Sequence, residues 1–287
     1  MGPMPQLTGL HIYPIKSTYR LSPESAQVEP WGLLGDRRWM LVDESGRAVT
    51  QRDEPALGQF RVLPSPDGSL TVTAPDGDRL EVAAPATANG DPEVKAEVFG
   101  TFFTTALAAP DVNDWFAGYF PGVRLVHLDN PLSRPVDPGH AGPGDTVTMA
   151  DGYPLLLTTT GSLEELNARI AEDHPDDELK AAALPMERFR PNLVVDGTAA
   201  WAEDGWRRVS IGELTFRVAK PCGRCLVTTT DQETGVRRGP EPLRALGRHH
   251  RIGQKLVFGQ NLIPERPEGH TGLIGTLHLG DELTVLE

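Results

Sequence analysis

Gln59-Phe-Arg-Val-Leu-Pro-Ser-Pro-Asp-Gly-Ser-Leu-Thr-Val-Thr-Ala-Pro-Asp-Gly-Asp-Arg-Leu-Glu-Val82 alternates short β-prone runs with turn residues. The apolar and β-branched positions predict strands at Gln59–Leu63, Ser69–Thr73 and Arg79–Val82, with Ser-Pro-Asp-Gly and Pro-Asp-Gly between them. Strands that return about every ten residues favour a barrel or a sandwich. Towards the N-terminus the same reading gives a strand over Leu7–Ile15, ended by a Pro-Ile-Lys-Ser turn. Another follows at Trp39–Val42, after Gly-Asp-Arg-Arg.

Towards the C-terminus, Asp111–Phe120 reads as a short helix with an aromatic face. Residues 129–145, dense in Pro and Gly, read as a linker or a functional loop. Ser162 followed by Glu165 forms a capping-box pattern, and Leu163, Leu166 and Ile170 share one face of a helix that runs to about Asp173. Strands are expected at Asn192–Val195, Val209–Ile211, Leu214–Val218, Cys225–Thr229, Lys255–Phe258, Gly272–Leu279 and Glu282–Leu286. A short helix is expected at Pro240–Leu246. The chain therefore reads as β-rich α+β, in two parts meeting near residues 100–145.

Composition narrows the function. The 287 residues carry 27 basic and 40 acidic side chains, a net charge of −13, which disfavours nucleic acid or anionic lipid as partners. No run is long and apolar enough for a membrane helix, and no secretory signal is evident, so a cytoplasmic protein without a membrane partner is expected. Two cysteines rule out a disulfide framework. A structural zinc wants four Cys or His ligands, and only the adjacent His249 and His250 stand downstream of the pair. A thioredoxin-type dithiol should open a helix, whereas Leu-Val-Thr-Thr-Thr after Cys225 is strand-like.

Four segments carry chemistry. Tyr13-Pro-Ile-Lys-Ser17 puts Lys16 and Ser17 at a strand tip, as anion donors or as an ordinary solvated turn. In Gly35-Asp-Arg-Arg-Trp39, strand alternation sends Arg37 and Arg38 to opposite faces. One of them then serves as an ion pair, with Asp36, Asp53 or Glu54, or as a ligand clamp. Arg190 and Asn192 in Arg188-Phe-Arg-Pro-Asn192 suit recognition of a phosphate or a heterocycle edge, unless Arg190 pairs with Glu203 or Asp204. In Pro221-Cys-Gly-Arg-Cys225, Gly223 admits close approach of a ligand, and Arg224 would favour a neighbouring thiolate. A buried inert thiol is the plain alternative.

Together these segments resemble the MOSC family, in the branch with its own N-terminal β-barrel domain that includes the mitochondrial amidoxime reducing component and its bacterial relatives. The resemblance extends through Thr50-Gln-Arg-Asp-Glu-Pro55, Ala150-Asp-Gly-Tyr-Pro154, Trp201-Ala-Glu-Asp-Gly-Trp206, the stretch from Cys222 to Gly235, Phe258-Gly-Gln-Asn261 and a final Gly-Asp-Glu-Leu. It implies an N-terminal β-barrel domain over residues 1–125 and a MOSC-type mixed β-barrel with a few short helices over 126–287. It also implies the molybdenum cofactor (Mo-molybdopterin), with Cys225 as metal ligand and catalytic residue. Lys16, Ser17, Arg37, Asp151, Arg190, Asn192, Gly223, Arg224 and Asn261 would form the cofactor site. Pyridoxal phosphate binding is a further family-level association. Gly152 and Tyr153 depart from the family pattern, where small hydroxyl residues follow the aspartate. Gly223 replaces a Ser, and Asn261 a Tyr.

The implied activity is an oxidoreductase that reduces N-hydroxylated small molecules. With no cysteine after 225, electrons would come from a separate donor protein of ferredoxin or flavoprotein type. A cofactor carrier or persulfide-transfer module, and a Cys222–Cys225 dithiol switch, are the other readings.

Overall fold

The computed structural model describes residues 4–287. Eighteen strands and four α-helices form among them, so the protein is β-rich α+β. The largest sheet runs in the order Gln6–Leu10, Leu193–Asp196, Leu155–Thr159, Lys255–Pro264, Leu214–Gly223, Arg208–Ile211 and Leu283–Val285. Its two ends meet. Gln6 bridges Glu282, and the Leu7 amide donates to the Asp281 carbonyl at 2.8 Å. A sheet that joins its own edges leaves few unpaired backbone groups and encloses a core. Here that nearly closed barrel holds Leu7, Leu155, Leu157, Val209, Phe216 and Leu262, all buried. A small sheet of Ser25–Glu29, Gly32–Leu33 and Gly275–His278 adds Val28, Leu33 and Leu277 to the same core.

Leu155–Thr159 and Leu193–Asp196 pair in parallel, which requires a crossover, and the helix Thr160–Asp173 provides it. Leu166 and Ile170 on that helix pack with Phe189, Leu246 and Phe258 outside the barrel. Gly259 has φ +78°, and a Cβ there would lie 2.5 Å from the Leu157 carbonyl oxygen, so only glycine lets these neighbouring strands approach.

The other sheets lie between residues 39 and 127. Trp39–Val42, Arg124–His127, Thr101–Leu107 and Glu93–Val98 form one, and the meander Arg61–Pro64, Leu70–Thr73, Arg79–Val82 another. The helix Pro110–Tyr119 packs over them, and its aromatic face closes on Phe60, whose ring lies 5.3 Å from Tyr119 and Phe120 and 6.1 Å from Trp115. No helix among the described residues is long and apolar enough to cross a membrane.

Three expectations are corrected. Cys225–Thr229 is not a strand: Leu226–Thr229 is a 3₁₀ turn, because the Thr228 and Thr229 hydroxyls donate to the Cys225 and Leu226 carbonyls at 2.9 and 2.7 Å. The long crossover helix begins at Thr160, capped by Thr159 rather than Ser162. Ser162 turns its hydroxyl inward to Glu203 at 2.9 Å, and Glu165 pairs with Arg169. The first strand ends at Leu10, after which Ile12 and Ile15 make only isolated bridges. Strands at Ser25–Glu29, Glu93–Val98, Thr101–Leu107 and Arg124–His127 were not recognised in the sequence.

Candidate functional site

A cleft of about 760 Å³, partly open to solvent, lies where the barrel meets the N-terminal sheets. Cys225, Lys16, Ser17, Arg37, Asp151, Arg190, Asn192, Gly223, Arg224 and Asn261 all line it. Residues up to 245 positions apart in sequence, Lys16 and Asn261, thus face one space.

The barrel wall is shaped by its longest strands. Leu214–Gly223 changes register against Lys255–Pro264 twice, between Val218 and Lys220 and between Pro221 and Gly223. Bulges of this kind bend a strand and re-aim its side chains. They also accommodate Pro221 and carry Cys222 and Gly223 over the cleft. Asn261 ties the two strands by donating to the Lys220 carbonyl at 3.2 Å. Cys225 follows half-buried, at the head of the 3₁₀ turn.

The opposite wall is made of loops. Lys16 is buried, donating to the Met149 carbonyl at 2.9 Å and to Asp151. Burial lowers its pKa to about 8 although Asp151 pulls the other way, so it is charged at pH 7. Asp151 itself has 59% of its side chain exposed in the cleft. Burial among protein atoms would raise its pKa, but Lys16 and Arg52 outweigh that and hold the carboxyl well below the usual range. Arg52 reaches Asp151 at 3.2 Å. Burial opposes its charge too, yet Asp151 and Cys225 beside it raise its pKa on balance.

Arg37 does not lie in the strand as alternation suggested. Its φ is +48°, and its guanidinium bonds Asp36 at 2.7 Å and Asn192 at 3.1 Å, 4.4 Å above the Tyr13 ring. The ion-pair reading with Asp36 is therefore realised. Arg38 instead donates to the Leu128 carbonyl at 2.7 Å and lies 3.9 Å from Glu29. Arg190 pairs with neither Glu203 nor Asp204. It donates to Gln232 at 3.0 Å and to the Thr18 carbonyl at 2.9 Å, and burial lowers its pKa to about 10. It thus stays a buried cation with only neutral hydrogen-bond partners. Asn192 is buried and internally engaged, accepting from the Leu156 amide at 3.2 Å and donating to the His11 carbonyl at 3.1 Å.

Ser17, Arg37 and Arg190 all have positive φ, three of the five non-glycine residues among those described that do. Each such residue costs about 1–2 kcal/mol unless its surroundings impose it. Strain gathered at one cleft is a mark of a functional site that residue identity does not reveal.

Arg224 is redirected. It donates to the Cys222 sulfur at 2.9 Å and to the Phe189 carbonyl at 2.6 Å, while Arg52 faces the cleft with Cys225. The sequence reading had not singled out Arg52 or Arg134 as site residues. Arg134 is buried in the Pro/Gly-rich loop, and its guanidinium bonds the carbonyls of Thr148, Ala150 and Asp151, with no carboxylate partner. Burial lowers its pKa to about 10. The one sequence signal for it was the density of Pro and Gly around it. The His pair is engaged elsewhere: His250 bonds Asp204 at 2.7 Å, and His249 lies 3.3 Å from Asp173.

Among the described residues no three His, Cys, Asp or Glu side chains converge as a metal cluster. A metal in this cleft would find the Cys222 and Cys225 thiols as its soft protein donors and draw its other ligands from a cofactor. Gly152 and Gly223 face open space, where a Cβ would meet nothing within 4 Å. Both leave backbone bare to a flat ligand. An anionic pterin with one thiolate ligand therefore fits the residues present.

The chain resembles known proteins along most of its length. The MOSC N-terminal beta barrel domain profile matches residues 4–122, and the MOSC domain profile matches 144–284. Mitochondrial amidoxime-reducing component 1 of Mus musculus is 32% identical, covering 96% of this chain and 81% of its own. The Danio rerio protein of that name is 31% identical over 96% and 83%. The molybdenum cofactor sulfurase of Oryza sativa subsp. japonica is 30% identical over 88% of this chain, which spans only 32% of that longer protein.

Proposed function

Because the chain belongs to the MOSC family, with the family's N-terminal β-barrel domain, we propose that it is a molybdenum-cofactor-dependent oxidoreductase acting on N-hydroxylated small molecules. One observation carries the reading most: a half-buried thiol, Cys225, shares its cleft with Lys16, Arg37, Arg52, Arg190 and Arg224, against the single carboxylate of Asp151. In an acidic protein of net charge −13, cations gathered around one thiol suit an anionic ligand, although Asp151 already pairs Lys16 and Arg52 and Asp36 pairs Arg37. Arg190 supports this best, since no carboxylate neutralises it.

When bound, the cofactor supplies two-electron oxygen-atom chemistry, taking the oxygen of an N–OH group to water. The chain's own residues do the rest. Cys225 is the thiolate ligand. Arg190, Arg37 and Arg52 are charged at neutral pH and would hold the cofactor phosphate and orient the pterin. Lys16 keeps its proton on Nζ at pH 7 and uses two of its three donors on Met149 and Asp151, leaving one for a ligand. Gly152 and Gly223 leave room for the cofactor's plane. Electrons would be delivered by a separate protein of ferredoxin or flavoprotein type.

The test is Cys225→Ser in a host that makes the cofactor. Turnover of an amidoxime with a chemical reductant should fall by at least about 10³-fold, and molybdenum content should drop with it. Cys222→Ser should stay near wild type; equal loss from both would favour a dithiol instead.

Likeness to a cofactor sulfurase favours a second reading, in which Cys225 carries a persulfide or passes cofactor on. That reading predicts readily exchanged cofactor or a sulfur adduct on Cys225, with no turnover by any donor.

A further inference from the structure

A second cleft, of about 540 Å³, shares Lys16, Thr50 and Arg52 with the Cys225 cleft and is bounded by Phe99. Phe99 and Gly100 form the turn between the strands Glu93–Val98 and Thr101–Leu107, with φ of +50° and +80°. Two successive positive φ values normally call for Asn-Gly or Gly-Gly, and a bulky residue in the first position is strained. The Phe99 side chain gains little by packing either, being 65% exposed. Neither turn chemistry nor a core explains phenylalanine here. Its ring lies against Arg52, whose guanidinium carbon is 4.8 Å from the ring centroid and whose Nη2 donates to Asp151 at 3.2 Å. The ring is therefore carried at the cleft by the same arginine that stands beside Cys225.

We propose that Phe99 and Arg52 form a stacking platform for the planar aromatic part of the substrate, with its N-hydroxyl end turned past Lys16 towards Cys225. This deepens the proposed function and rests on it. Lys16, Arg47 and Arg52 against Asp53 and Glu97 leave the second cleft without excess negative charge, so uncharged aryl or heteroaryl compounds suit it better than cations. A strained, exposed aromatic then has a functional reason, at a cost to the hairpin.

The test measures binding by calorimetry, and turnover, of benzamidoxime and acetamidoxime on cofactor-loaded protein. Phe99→Ala should weaken benzamidoxime binding and raise its KM about tenfold, leave kcat within about twofold, and leave acetamidoxime unchanged. Phe99→Trp should restore aryl binding. Phe99→Asn, the residue this turn prefers, should raise the melting temperature while weakening aryl binding. Equal losses for both probes, or unchanged aryl binding in Phe99→Ala, overturns the platform. Benzamidoxime bound through Phe99 but never reduced keeps the platform and sinks the reductase reading. Reduction of both probes with no dependence on Phe99 does the reverse.

Discussion

The barrel wall of the cleft carries Cys225, Asn192 and Asn261 on or next to strands, whereas the facing wall carries Lys16, Arg37 and Arg52 on loops. The two are held by different physics. Strand residues inherit their place from ladder hydrogen bonds and an apolar interior, and Asn261 adds one tie between neighbouring strands. Loop cations have no ladder. They are held by carbonyl oxygens, by nearby carboxylates and by left-handed backbone at Ser17, Arg37 and Arg190. The barrel wall is thus rigid by construction, and the loop wall is rigid only as far as its hydrogen bonds persist.

The largest expected effect lies on the loop wall. Arg134→Leu leaves the carbonyls of Thr148, Ala150 and Asp151 without their donor and should cost about 3 kcal/mol in a urea titration. Cofactor content should fall with it, since Asp151 and the Lys16 contact ride on that loop. A loss below about 1 kcal/mol would mean the loop holds itself. On the barrel side, Thr159→Ala removes the cap of the crossover helix and one donor to buried Glu203. It should cost about 1 kcal/mol, with Thr159→Ser near wild type. Binding at the cleft should be unaffected if the barrel wall is independent of its outer helix.

The smallest effect is electrostatic. Lys16 has a folded pKa of about 8 against 10.5 ordinarily, so it loses its charge between pH 7 and 9. Binding of inorganic phosphate, followed by calorimetry, should weaken roughly five-fold across that range, and Lys16→Met should flatten the dependence. The stability sign is opposite. The folded state binds fewer protons than the unfolded chain between about pH 8 and 10.5, so Lys16 makes stability rise with pH in that window.

Pattern reading found chemistry-bearing residues at turn and strand boundaries, and the resemblance to the MOSC family joined them into one candidate site. Arg190-Pro-Asn192 before an apolar run and the Cys222–Cys225 pair are of this kind. Arg52 and Arg134 were not, since nothing local distinguishes an arginine that will be buried from one that will be solvated. Arg224 was expected beside a neighbouring thiol, and the fold decides that this thiol is Cys222: spacing gives neighbours along the chain, not the direction of a side chain.

Sequence alone determined the secondary-structure class, the Pro-Asp-Gly turns of the meander, the apolar face of the crossover helix and the segments that meet at the cleft. The segments came from the resemblance to the MOSC family, and the rest follows from local propensity and periodicity. Only the tertiary structure decided that Gln6–Leu10 closes a barrel completed by Leu283–Val285, and that Cys225 opens a 3₁₀ turn rather than a strand. It alone set the left-handed residues that turn the loop cations towards one another. Each of these depends on contacts between residues distant in the chain, whose energy outweighs the local preference of any one of them.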